Sequence, residues 1–106
     1  MKAFNKRKND AEARYKRDQE LAFKAGARRN KLLGLWAAEQ MGISGDDANA
    51  YAKEVVVADF DRPGDNDVLE KVLKDLTSKG IDVTGHRVRK EMDRLMEIAR
   101  EQVRNE

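Results

Sequence analysis

One proline, Pro63, stands in a chain of 106 residues. Proline locks its own φ and lacks a backbone donor, so its scarcity leaves nearly the whole chain free to be helical. Apolar side chains recur at three- and four-residue spacing in four segments, the mark of amphipathic helices. Charged residues make up 40% of the chain and aromatics only 6%, a mixture that favours helices over a sheet core. A chain of this length forms one domain, or one domain with a tail. It can bury about two-thirds of the surface its unfolded form exposes, enough for one small core.

Residues 1–19 are thin in apolar side chains. Phe4, Ala11 and Tyr15 are spaced by seven and four, which places them on one narrow helical stripe that Lys8 interrupts. Asp10 with Arg14 and Glu12 with Lys16 have the spacing of weak helix-supporting pairs. This segment carries seven Lys/Arg against three Asp/Glu, whereas the other 87 residues carry fifteen against seventeen. A basic, helix-prone arm without an anchor therefore precedes a mildly acidic body at residues 20–106.

In the body, Leu21, Ala25, Leu32 and Trp36 are expected to share a face, with Leu33 and Leu35 beside it. Gly42 supplies a left-handed stop. Gly34 costs about 1 kcal/mol inside a helix relative to alanine, which a close approach by a neighbouring helix would explain. Ser44 to Asp47 resembles a capping box opening a second helix, with Ala48, Tyr51, Ala52, Val55, Val56 and Phe60 in phase. Pro63-Gly64 reads as a turn, with Asp65 capping a third helix whose face is Leu69, Val72, Leu73 and Leu76. Gly80 ends it, and Ile81 and Val83 are expected against the core. Thr84 caps a fourth helix with the face Val88, Met92, Leu95, Met96, Ala99 and Val103. The expected fold is all-α: a four-helix bundle with a mobile, helix-prone N-terminal arm.

No constellation of catalytic groups stands out, and the expectation is a protein that is not an enzyme. The chain has no cysteine, which removes disulfides, thiol catalysis and cysteine-based zinc sites. His86 is the only histidine and reads as a surface residue. Asp59, Asp61, Gly64, Asp67 and Glu70 match calcium-loop positions, but Pro63 falls where a ligand oxygen is needed. Helix capping and the helix dipole explain these acids, so no metal is expected. Phosphate-cradling glycine motifs are absent. Arg28, Arg29 and Lys31 read as a solvated helix edge, and Trp36 and Tyr51 as core aromatics. Near-neutral charge and few aromatics argue against nucleic acid. No apolar run approaches membrane-spanning length or follows the basic N-terminus as in a signal peptide, so a cytoplasmic protein without direct membrane insertion is expected.

Three stretches carry a family resemblance: ARRNKLLGLWAAE from Ala27 to Glu39, AYAKEVVVADF from Ala50 to Phe60, and PGDNDV from Pro63 to Val68. Phe4, Arg7, Glu12, Asp18, Glu20, Leu21, Phe23, Lys24 and Ala25 extend it through the arm. Over almost its whole length the chain resembles the zeta subunit family of the F-type ATP synthases of alphaproteobacteria. The resemblance implies a four-helix bundle whose N-terminal segment inserts into the catalytic head of alpha, beta and gamma subunits and blocks ATP hydrolysis. It implies Phe4, Ala11 and Tyr15 as buried anchors, with Arg7, Glu12 and Arg14 meeting polar groups in the cleft. It places the protein peripheral to the inner membrane through the synthase, and monomeric when free. No cofactor is implied beyond weak ATP or ADP binding, for which Arg28, Arg29 and Trp36 are the candidate residues; a nucleotide-binding bundle with little inhibition is the alternative reading. The arm departs from the family pattern, since Asn5, Lys6, Lys8 and Asn9 make basic a segment that is more often acidic in relatives.

Overall fold

The computed structural model describes the backbone of residues 2–62 and 64–106, and the side chains of 9–62 and 64–106. Four helices follow one another: α1 (Lys2–Gln40), α2 (Gly45–Asp61), α3 (Asp65–Ser78) and α4 (Gly85–Arg104). No strand occurs among the described residues. The architecture is the expected all-α four-helix bundle. A 39-residue helix is about 58 Å long, which accounts for the elongated extents of 65 × 25 × 23 Å.

The arm and the first bundle helix form one unbroken α1, because no helix-breaking residue separates them. Residues 9–20 are exposed throughout, and burial begins at Leu21. From there α1 packs against both α2 and α4, while α3 closes the remaining side. Leu33, Val55, Val68, Val72, Leu76, Val88 and Met92 form the centre of the core.

The buried face of α1 is rotated from the expected one. Ala25, Leu33, Ala37 and Ala38 are buried, whereas Leu21, Leu32 and Trp36 are only half-buried at the flanks. Between two neighbouring helices the buried face is mostly small residues around Leu33, and Leu21, Leu32 and Trp36 fill its margins. Gly34 belongs to that face for the expected reason. A Cβ built there would lie 2.5 Å from the Ala52 Cα of α2, so only glycine permits the approach.

Helix ends follow local chemistry in part. Gly42 and Gly80 take positive φ, and the amides of Ile43 and Ile81 donate to Ala38 and Leu76, five residues back. Both are closed by the six-to-one bond of a Schellman motif, and each isoleucine then packs on the core. Thr84 caps α4 as expected, its hydroxyl accepting from the Arg87 amide at 3.1 Å. The Ser44 hydroxyl makes no capping bond, so the expected capping box is not formed. Asp46 and Asp47 still place carboxylates at the positive end of the α2 dipole. Asp65 is the first residue of α3 rather than its cap, because its carboxylate is drawn to Arg29.

Candidate partner-binding surface

The arm side chains with a predicted role divide into two groups. Ala11, Glu12, Arg14 and Tyr15 are exposed on α1, whereas Phe4 and Arg7 lie outside the described side chains. Tyr15 is 66% exposed, and its hydroxyl accepts from Gln19 Nε2 at 2.8 Å. An aromatic ring held in water by so little contact leaves apolar area for a partner to cover. No ion pair closes between Asp10 and Arg14 or between Glu12 and Lys16. Exposed pairs of this kind contribute little, so the helix there does not depend on them.

Where α1 enters the bundle, Arg28 and Arg29 are structural, whereas Lys31 is exposed as expected. Arg28 donates to Gln102 at 3.0 Å and pairs with Glu106, tying α1 to the end of α4. Arg29 is 4% exposed, and its Nη2 pairs with Asp65 of α3 at 2.8 Å. The expectation of a solvated edge at Arg29 is overturned. A buried guanidinium needs a carboxylate, and the start of α3 supplies one. The Arg29 hydrogen bond holds the Asp65 carboxyl below its usual range, with lesser help from the Arg29 and Arg89 charges.

Trp36 is half-buried beneath the Arg87 guanidinium, 5.3 Å from the ring centre. Arg87 and Arg94 also grip Glu91, whose carboxyl is held low chiefly by the Arg94 hydrogen bond. Tyr51 is buried, and its hydroxyl donates to Asp75 at 2.8 Å. Burial is the main reason that its ionisation is pushed up. Arg28 and Arg29 are thus engaged by α4 and α3, and Trp36 by Arg87. The structure does not bring the three into one pocket.

Sequence reasoning passed over two apolar grooves beside the arm. One, of about 330 Å³, lies between α1 and α4 and includes Leu21, Ala22, Met96 and Val103. The other, of about 400 Å³, lies between α1 and α2 and includes Ala22, Phe23, Gly26, Val56 and Phe60. Phe60 was expected in the core, yet it is 66% exposed and meets Phe23 edge to face at 5.8 Å. Its position near the end of α2 carries it past the packed part of the bundle. Asn30 lines the same groove, and its Nδ2 is buried without a partner among the described residues. Leaving such a donor unpaired costs about 1–3 kcal/mol.

His86 is exposed, and the Asp59 carboxylate accepts from the Gly64 amide at 3.4 Å. No group of three metal-ligating side chains gathers among the described residues. No described helix is long and apolar enough to cross a membrane. A long helix projecting from a small bundle, with Tyr15 and Phe23 exposed along it, defines a class of helical bundle with an exposed arm.

Comparison with known proteins specifies the class. The sequence model of the family described as ATPase inhibitor subunit zeta matches residues 1–102, and the chain belongs to that family. An NMR solution structure is 53% identical to it with a TM-score of 0.69, over 78% of this chain and 94% of the other. Among curated proteins no match was found.

Proposed function

We propose that this protein restrains ATP hydrolysis by the F-type ATP synthase, with residues 1–19 entering the catalytic head and the bundle seated outside it. Membership of an ATPase-inhibitor family supports the inhibitory role. The observation that carries the insertion reading is the single α1, which runs from Lys2 through an exposed stretch into the centre of the core. A helix continuous with the core transmits force: resistance met at the arm is passed to the bundle rather than absorbed in a loose linker. Nineteen residues of helix reach about 28 Å, sufficient to pass between packed subunits.

Tyr15 and Ala11 are the described anchors on this reading, and Phe4 extends their stripe by its spacing. Glu12 and Arg14 would meet polar groups of the alpha, beta or gamma subunits. The arm's positive balance favours approach to an acidic cleft and raises the desolvation cost within a neutral one. A weak ATP or ADP site at Arg28, Arg29 and Trp36 has less support, since all three already have partners within the bundle.

The test is ATP hydrolysis by the purified catalytic head, titrated with the full-length protein and with a version lacking residues 1–19. Inhibition by the full-length chain alone supports insertion. Equal inhibition by both versions refutes it and moves the function to the bundle.

A further inference from the structure

We infer that the groove between α1 and α2, bordered by Phe23 and Phe60, is a second docking site, taking an apolar side chain of the catalytic head together with the adjoining backbone carbonyl. The inference rests on the proposed action on that head and adds a contact outside the arm.

Three observations converge on this groove. The first is its shape. Phe23 and Phe60, in edge-to-face contact, border it together, while Gly26 leaves its floor open: a Cβ built there meets nothing within 4 Å. Gly26 is therefore unlike Gly34, which is required by a neighbouring helix. The groove of about 400 Å³ has room for an incoming leucine or phenylalanine side chain.

The second is the Asn30 amide. Arg29 Nε donates to Asn30 Oδ1 at 2.9 Å, and arginine can only donate. The amide orientation is thereby fixed, and Nδ2 is the atom without a partner. Asn30 is 1% exposed and lines the groove, so it asks for an acceptor from outside the chain. A backbone carbonyl next to a buried apolar side chain satisfies that demand. Nδ2 is covered in the free protein, so the acceptor reaches it only with a local movement of the groove lining. Phe23 and Phe60 are both exposed lining residues, held chiefly by their mutual edge-to-face contact.

The third is continuity with the arm. Ala11, Tyr15 and Ala22 are spaced by four and seven, so one face of α1 leads from the arm to Ala22. Ala22 lines this groove. A partner that covers Tyr15 is led along the helix to Phe23 and Phe60. Aromatic residues, phenylalanine among them, are also enriched at protein interfaces.

The test uses the full chain and the purified catalytic head, with binding measured calorimetrically and hydrolysis measured separately. Phe23→Ser and Phe60→Ser change exposed side chains, and far-UV circular dichroism checks that both remain folded. Ile98→Ser, an exposed site on α4, is the control. Each phenylalanine variant is expected to bind the head at least about fivefold more weakly, with the control within about twofold. Wild-type affinity in both phenylalanine variants, while the wild-type protein binds and inhibits, overturns the groove and leaves the inhibitory reading intact. A wild-type protein that neither binds nor inhibits overturns both. If binding to the head is unchanged while Phe60→Ser abolishes either self-association in sedimentation or ADP-induced shifts of the ring resonances, the groove belongs to a second copy or a nucleotide, and the proposal fails.

Discussion

Gly34→Ala provides a sharp test of the packing that holds α1 in the bundle. The new Cβ would lie 2.5 Å from Ala52 Cα, 3.1 Å from Ala52 Cβ and 3.2 Å from Val55 Cγ2. Carbon atoms pack at about 3.5–4.0 Å, so α1 and α2 must separate by about 1 Å at this point. The nearest obstacle is backbone, which cannot rotate away as a side chain does. Overpacking of this kind costs about 1–3 kcal/mol, and an immovable neighbour places the substitution toward the upper end. Alanine's better helix propensity returns about 1 kcal/mol. The expected net loss is about 2 kcal/mol, or a melting temperature lower by about 10 °C. Gly26→Ala supplies the internal comparison. It has the same propensity gain and no clash, so it should stabilise by about 0.5–1 kcal/mol. Urea denaturation followed by circular dichroism measures both. A neutral or stabilising Gly34→Ala, equal to Gly26→Ala, would refute the close α1–α2 contact. Ala52→Gly should give little rescue, because the closest clash is with Cα rather than Cβ.

Other expectations follow from the ion pairs and the arm. Asp65→Ala leaves the buried Arg29 guanidinium without its carboxylate and should cost about 1–3 kcal/mol, discounted for the exposure of Asp65; Asp65→Asn should restore part of the loss in the same denaturation assay. The Glu91 carboxyl is held low in the folded state, so its stabilisation is present above the unfolded value and is lost as pH falls through the folded one. Glu91→Gln should accordingly lower stability at pH 7 and flatten the decline below about pH 5 in a pH series of melts. Tyr15→Ala, at an exposed site, should change stability by less than about 0.5 kcal/mol while weakening inhibition of the catalytic head; unchanged inhibition would remove Tyr15 from the anchor set.

Local chemistry was legible wherever a backbone demand has few solutions. Gly42, Gly80 and Thr84 announce helix boundaries because positive φ and an unpaired helical amide call for particular residues. Gly34 likewise advertised a close approach through its cost to the helix. The periodic apolar residues of α3 and α4 marked the buried sides of those helices. Caps with a competing partner were less legible. Asp65 looks like a cap in sequence, but nothing local reveals that Arg29, 36 residues earlier, claims its carboxylate.

The sequence by itself determined the four helices, the ends set by Gly42, Gly80 and Thr84, and the basic arm, because propensity, spacing and capping act within a few residues. Only the tertiary structure decided burial along α1 and at the end of α2. It rotated the face of α1 between two neighbours, buried Arg29 and left Phe60 in water beside Phe23. Burial depends on where other helices lie, and that depends on side-chain volumes and charges summed over the whole bundle. The orphaned Asn30 amide belongs to the same category: its identity is local, but its lack of a partner exists only once the chain has folded around it.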